Sequence, residues 1–166
     1  MAISTEIVRT YRSPRAVIRR LLEGGPREDR GIAWVMGGCL IIFIGQWPRL
    51  QREAMLDPEG APLDARIGAA LFAWLFIAPL LLYGIAALSH LVARLFGGKG
   101  TWWGARAALF WTLLATSPLF LLQGMAAGFF GEGPELTIAS SVTALAFLSI
   151  WGISLVEAER PQERRA

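Results

Sequence analysis

Residues 107–131 read AALFWTLLATSPLFLLQGMAAGFFG, twenty-five positions without an aspartate, glutamate, lysine, arginine or histidine. A bilayer core about 30 Å thick is crossed by about 20 helical residues rising 1.5 Å each, and a helix is one of the few structures that satisfies its own backbone in lipid. Three further stretches, 31–48, 67–93 and 136–156, are equally free of Asp, Glu, Lys and Arg. Of 16 basic residues, 13 acidic residues and one histidine, the histidine alone, His90, falls inside any of the four. The pattern predicts an all-α integral membrane protein with four transmembrane helices. Composition agrees, since 54% hydrophobic and 17% charged residues are more apolar than an ordinary soluble domain.

Basic residues alternate across the segments between these stretches. Arg9, Arg12, Arg15, Arg19, Arg20, Arg27 and Arg30 precede the first, and Arg94, Lys99 and Arg106 lie between the second and third with no acid among them. Arg160, Arg164 and Arg165 follow the fourth. The two other segments hold Arg49, Arg52 and Arg66 beside Glu53, Asp57, Glu59, Asp64, Glu132 and Glu135. Lys and Arg collect on the cytoplasmic side, so both termini are expected there. The polar first thirty residues lack the apolar core of a secretory signal, and the first span is expected to be retained. Three regions follow: a cytoplasmic segment 1–30, a four-span membrane domain 31–156 and a cytoplasmic tail 157–166.

The first span is expected to be short, about 25 Å, ending at Pro48 with Trp47 in the interface and Arg30 and Arg49 snorkelling. The second, from Ile67, is longer than the bilayer requires at roughly 40 Å. Pro79 and Pro118 stand near the middle of the second and third spans, and kinks are expected at both. Each proline frees the carbonyl four residues earlier, of Leu75 and Leu114, and Thr112, Thr116 and Ser117 are placed to bond freed carbonyls. Gly124 and Gly128 in the third span, and Ser140 and Ala144 in the fourth, offer small faces for close helix packing, most simply within this bundle. A turn region joins the first two spans, with an interfacial helical turn around 51–56.

Ahead of the spans, Ser13 as N-cap, Pro14 at the first helical position and Gly24-Gly25 as a stop define an N-terminal amphipathic helix. Val17, Ile18, Leu21 and Leu22 form its apolar face. The expectation is an interfacial helix, its apolar face in the acyl boundary and Arg15, Arg19 and Arg20 on anionic lipid headgroups; the alternative is packing on the protein itself.

Catalysis has little to stand on. The spans hold no carboxylate, lysine or arginine for a proton relay, and the serines have no recognisable general base. His90, one turn before Arg94, is read as a structural or interfacial histidine that reaches the surface or caps the last carbonyls of its helix. One histidine and a distant Cys39 are too few for zinc, and Cys39, being alone, forms no internal disulfide. Gly97-Gly98-Lys99-Gly100-Thr101 has the residue types of a phosphate loop without its spacing, because Gly100 separates Lys99 from Thr101. It is expected to form a tight turn with left-handed glycines, with Trp102-Trp103 anchoring the return. No cofactor, metal or nucleic acid is expected.

This loop also carries a family resemblance. His90-Leu91-x-x-Arg94-x-x-Gly97-Gly98-Lys99-Gly100-Thr101-Trp102, followed by an apolar helix with Ser117-Pro118-Leu119, resembles the Yip (Ypt/Rab-interacting protein) membrane family, most closely its short bacterial members. The resemblance runs more loosely over about two-thirds of the chain. It implies a non-enzymatic multi-span protein of the bacterial inner membrane that binds membrane partners, itself or other membrane proteins, or organises a membrane assembly. Gly97, Gly98, Lys99, Gly100, Thr101 and Pro118 match the family's characteristic residues. Relatives usually carry five spans where this chain has room for four, and the Asp-Leu-Tyr-Gly-Pro-like motif of the eukaryotic, GTPase-binding branch is absent. The alternative is a small oligomeric transporter, channel or lipid-handling protein, suggested by the two proline-interrupted helices with Thr112, Thr116, Ser117 and Gln123 between them.

Overall fold

The computed structural model describes residues 3–160; Arg164 and Arg165 of the expected tail lie outside the described residues. Helices α1 (Ile3–Arg12) and α2 (Pro14–Glu23) precede α3 (Glu28–Leu56), and α4 (Leu63–Phe72) passes through a π-helical turn, Ala73–Ile77, into α5 (Ala78–Leu95). Helices α6 (Trp102–Phe129) and α7 (Pro134–Ala158) complete the chain, with no strand among the described residues. Four helices are long and apolar enough to cross a membrane: α3, the continuous rod 63–95, α6 and α7.

Helix α6 is the axis. Two-thirds of its most apolar window, 67%, is buried inside the protein, against 11% for α7 and 6% for the rod 63–95. An apolar helix buried on all sides is central, while the two outer spans turn most of their apolar surface away from the protein. Helix α3 lies parallel to α6 along glycines seven residues apart. Gly31 faces Trp103, Gly38 faces Leu113 and Leu114, and Gly45 faces Leu121 and Gly124. Seven residues are two helical turns, so one face of α3 is stripped of side chains and Trp34 packs between Trp103 and Trp111. Gly124 and Gly128 of α6 complete the contact against Gly45 and Pro48, so the small face expected in the third span packs within the bundle. Helices α5 and α7 run antiparallel to α6, with Tyr83 on Phe110 and Gln123 bonded to Ser140.

Pro48 does not end the first span. Helix α3 continues through it to Leu56, 29 residues and roughly 43 Å in place of the expected 25 Å. A proline costs a helix one hydrogen bond and some crowding, and here the next turn is held by an Arg49–Glu53 ion pair at i,i+4. Helical structure expected only as a turn at 51–56 is therefore the last part of α3. The second span likewise begins earlier, at Leu63, and runs 33 residues to Leu95. Its π turn directly precedes Pro79, with the Ala78 N–H bonded five residues back to Ala73, so the ladder shifts register just where proline withdraws a donor. Helix α6 continues through Pro118, and Ser117 donates its hydroxyl to the Leu114 carbonyl at 2.8 Å. Thr112 and Thr116 bond their own preceding turns and are fully buried, so that polar cluster is internally satisfied.

The N-terminal helices are part of the packed structure. Ser13, Pro14 and the Gly24-Gly25 stop delimit α2 as read from the sequence, with Gly25 at φ 74°. Its apolar face lies on protein instead of acyl chains: Val17 and Ile18 have no exposed surface and join the core with Leu22 and residues of α3, α6 and α7. Helix α1 docks on α6 through two long-range hydrogen bonds. Trp111 Nε1 donates to Thr10 Oγ1 at 3.0 Å, and the Tyr11 hydroxyl donates to the Ala115 carbonyl at 2.8 Å.

Candidate functional site

Glycines and a helix end build one end of the bundle. Helix α5 closes with a Schellman arrangement: Gly97 takes a left-handed φ of 88°, its N–H bonds the Arg94 carbonyl, and the Gly98 N–H reaches back to Ala93 at 2.9 Å. The chain then folds under the C-terminus of α7. The Lys99 N–H bonds the Glu159 carbonyl at 2.9 Å, and the Gly100 N–H donates to Glu159 Oε2 at 3.1 Å. Thr101 starts α6 as its N-cap, its hydroxyl accepting from the Gly104 N–H at 3.0 Å.

Only Gly97 of this loop is left-handed; the other two glycines answer to close approach. A Cβ on Gly98 would stand 2.9 Å from Glu159 Oε2, and one on Gly100 would stand 2.4 Å from the Ala158 carbonyl oxygen. The Lys99 side chain points outward. The loop thus clamps Glu159 through two backbone donors, the Lys99 N–H on its carbonyl and the Gly100 N–H on its carboxylate, while Gly97, Gly98 and Thr101 close α5 and open α6 around them.

His90 completes the clamp from α5. Read from the sequence as a structural or interfacial histidine, it is 2% exposed and bonds a carboxylate in place of its helix's last carbonyls or the surface: Nδ1 lies 2.6 Å from Glu159 Oε1 and its ring packs on Trp102 at 4.5 Å. A carboxylate at the C-terminal end of α7 faces the negative end of that helix's dipole. Glu159 is stabilised there by the imidazole, by the Gly100 N–H and by the positive N-terminal end of α6. Glu157, two residues earlier, has the same difficulty and is met by Arg160 at 3.1 Å and by Arg19 of α2, whose Nε donates at 2.9 Å. Arg20 pairs with Glu6 of α1 at 2.9 Å, and Arg9 pairs with the same carboxylate at 3.0 Å. Arg15, Arg19 and Arg20 remain exposed, so two of the three arginines expected on lipid headgroups also hold acids of this protein.

The acids are what sequence reading passed over. Glu6, Glu157 and Glu159 sit in segments that read as a polar head and tail, yet each is at most 8% exposed. One signal was available: glutamates in the last turn of an apolar helix oppose its dipole and therefore need cations or N–H donors from elsewhere in the chain.

The family model described as the Yip1 domain matches residues 8–157. The chain belongs to the Yip1 family. That match runs from within α1 to the last turn of α7 and takes in His90 to Thr101 and Glu157, while Glu159 lies two residues beyond it. No curated protein and no solved structure matches the sequence. In this Yip1 chain the described residues hold no group of three or more His, Cys, Asp or Glu placed to bind a metal, and Cys39 is a free, buried cysteine of α3.

The opposite end of the bundle holds a cavity of 670 Å³ between α3, α6, α7 and the π turn. Arg49, Arg52, Glu53 and Glu132 supply its charged lining; Gln46, Gln123 and Ser140 are its neutral polar groups, and Trp74 and Phe120 form apolar wall.

Proposed function

We propose that this Yip1 family member is a non-enzymatic, multi-pass protein of the bacterial inner membrane that binds membrane partners and organises an assembly through the faces of its outer spans. The observation that carries the reading is the asymmetry of burial. The rod 63–95 and α7 bury only 6% and 11% of their most apolar windows within the chain, leaving Phe72, Phe76, Leu80 and Leu81 on one and Val142, Leu145 and Leu148 on the other exposed. Apolar faces of this size need lipid or another helix. Both termini are assigned to the cytoplasm by the excess of basic residues at the clamp end. There α2 presents Arg15, Arg19 and Arg20 toward anionic headgroups while its apolar face holds the bundle; Arg15, without an ion pair among the described residues, contributes about 1 kcal/mol near such a surface, and Arg19 and Arg20 less because each already holds a glutamate.

Site-specific photo-crosslinking in native membranes tests this reading. Crosslinkers at Leu81 and Leu145 should each yield discrete protein adducts, whereas one at the buried Leu109 should not. Lipid adducts alone from both outer positions would contradict the proposal.

A further inference from the structure

The charged residues in and around the cavity are only partly paired. Around it, Arg49 pairs with Glu53 at 2.7 Å and Arg66 with Asp57 at 2.9 Å. Arg52 has no carboxylate within 4 Å among the described residues; its contacts are two long ones, 3.5 Å each, to the Gly128 and Phe129 carbonyls at the end of α6. Glu132, also on the lining, has no cation within that distance among the described residues. Gly131 brings the two together: it is left-handed at φ 73°, and a Cβ there would stand 2.6 Å from the Arg52 guanidinium. A guanidinium and a carboxylate therefore lie on one wall without neutralising each other.

Polarity is graded along the cavity. The four charged residues follow the points where the apolar stretches end, at Pro48 and Gly131, which is headgroup depth for helices of this kind. Gln46, Gln123 and Ser140 lie deeper, with the Gln123 amide already bonded to Ser140 at 3.0 Å, and Trp74 and Phe120 provide apolar surface. A volume of 670 Å³ lies within the range of about 300–1,000 Å³ found for small-ligand sites.

We infer that this cavity binds a phospholipid whose headgroup carries both a phosphate and a primary ammonium, the phosphate on Arg52 and the ammonium on Glu132. Arginine donates two parallel N–H bonds to a phosphate, and a carboxylate accepts from an ammonium that retains its hydrogens. The glycerol and first methylenes take the Trp74 and Phe120 surface, and the tails leave between the helices into the bilayer. The inference is independent of which partners the outer spans bind and of which way the chain faces.

Native mass spectrometry of the full-length protein, delipidated in a non-ionic detergent and titrated with lipid, tests it. Phosphatidylethanolamine should give a saturable adduct of one lipid per chain, with phosphatidylglycerol and phosphatidylcholine at least about tenfold weaker, which corresponds to about 1.4 kcal/mol. Arg52→Gln and Glu132→Gln should each weaken the ethanolamine lipid by about tenfold or more, and Ala127→Phe, which fills the cavity, should abolish the adduct. Thermal melting of each variant shows whether it is folded, and Arg94→Gln, at the other end, should bind as wild type. Equal binding of all three lipids, or wild-type binding by the folded Arg52 and Glu132 variants, overturns the inference. So does binding of free phosphoethanolamine as tightly as the lipid, which would make this a site for a soluble phosphate.

Discussion

Gly45 and Gly124 meet backbone to backbone, since a methyl group added to Gly124 would stand 1.9 Å from the Gly45 carbonyl oxygen. The central pair of helices is held by the absence of side chains at this point. Such closeness lets two apolar helices gain dispersion contacts and weak Cα–H···O bonds where no hydrophobic drive exists between them in lipid.

Gly124→Ala should therefore destabilise the bundle by about 1–3 kcal/mol, the usual range for overpacking. Gly152→Ala is the matched control, because nothing lies within 4 Å of a Cβ there and alanine is favoured over glycine in a helix by up to about 1 kcal/mol. Unfolding by a denaturing detergent, followed by circular dichroism, should move the two variants in opposite directions.

The glycine loop separates backbone from side-chain contributions. Gly100→Ala places a Cβ 2.4 Å from the Ala158 carbonyl oxygen and should cost about 1–3 kcal/mol by forcing the loop off Glu159. Lys99→Ala removes an exposed side chain and keeps the Lys99 N–H on the Glu159 carbonyl, so its effect should stay within about 0.5 kcal/mol. Thermal melting in one detergent compares them.

Ile18 decides whether α2 rests on protein or on lipid. With no exposed surface, its replacement by alanine should cost about 2–5 kcal/mol and expose the N-terminal helices to limited proteolysis. A residue that merely lay on acyl chains would lose little, and the digestion pattern would match wild type.

Tyr11 gives α1 a pH dependence. Burial pushes its phenol up, and the hydroxyl donates to the Ala115 carbonyl. A folded-state value above the unfolded one means that this stability is fully present below about pH 10 and is lost as pH rises through the folded value. Alkaline titration of α1 docking, read by proteolysis, should show this loss in wild type. Tyr11→Phe should start about 1 kcal/mol less stable and lack that phase.

Local chemistry made much of the fold legible, and tertiary chemistry hid the remainder. Blank intervals in the charge map located four helices, and Ser13-Pro14 with Gly24-Gly25 bounded α2, because caps, prolines and desolvation act over a few residues. Pro48 misled, since a proline penalty of a few kcal/mol is overcome once neighbouring turns and a packed helix support the chain. The apolar face of α2 announced burial without naming what buries it, as lipid and a helix surface ask for the same residues. At the clamp, Gly97-Gly98-Lys99-Gly100-Thr101 was visible as a turn, but its occupant was not. Gly100 and Glu159 are 59 positions apart, and only the packed ends of α5, α6 and α7 bring them together.

Whether the loop and His90 close on Glu159 is tested most directly by a double-mutant cycle, with stabilities measured for wild type, His90→Ala, Glu159→Gln and the pair. Contact at 2.6 Å in a buried site predicts that the two changes are strongly non-additive, with a coupling of about 1–3 kcal/mol. Energies that simply add within about 0.5 kcal/mol would contradict the clamp.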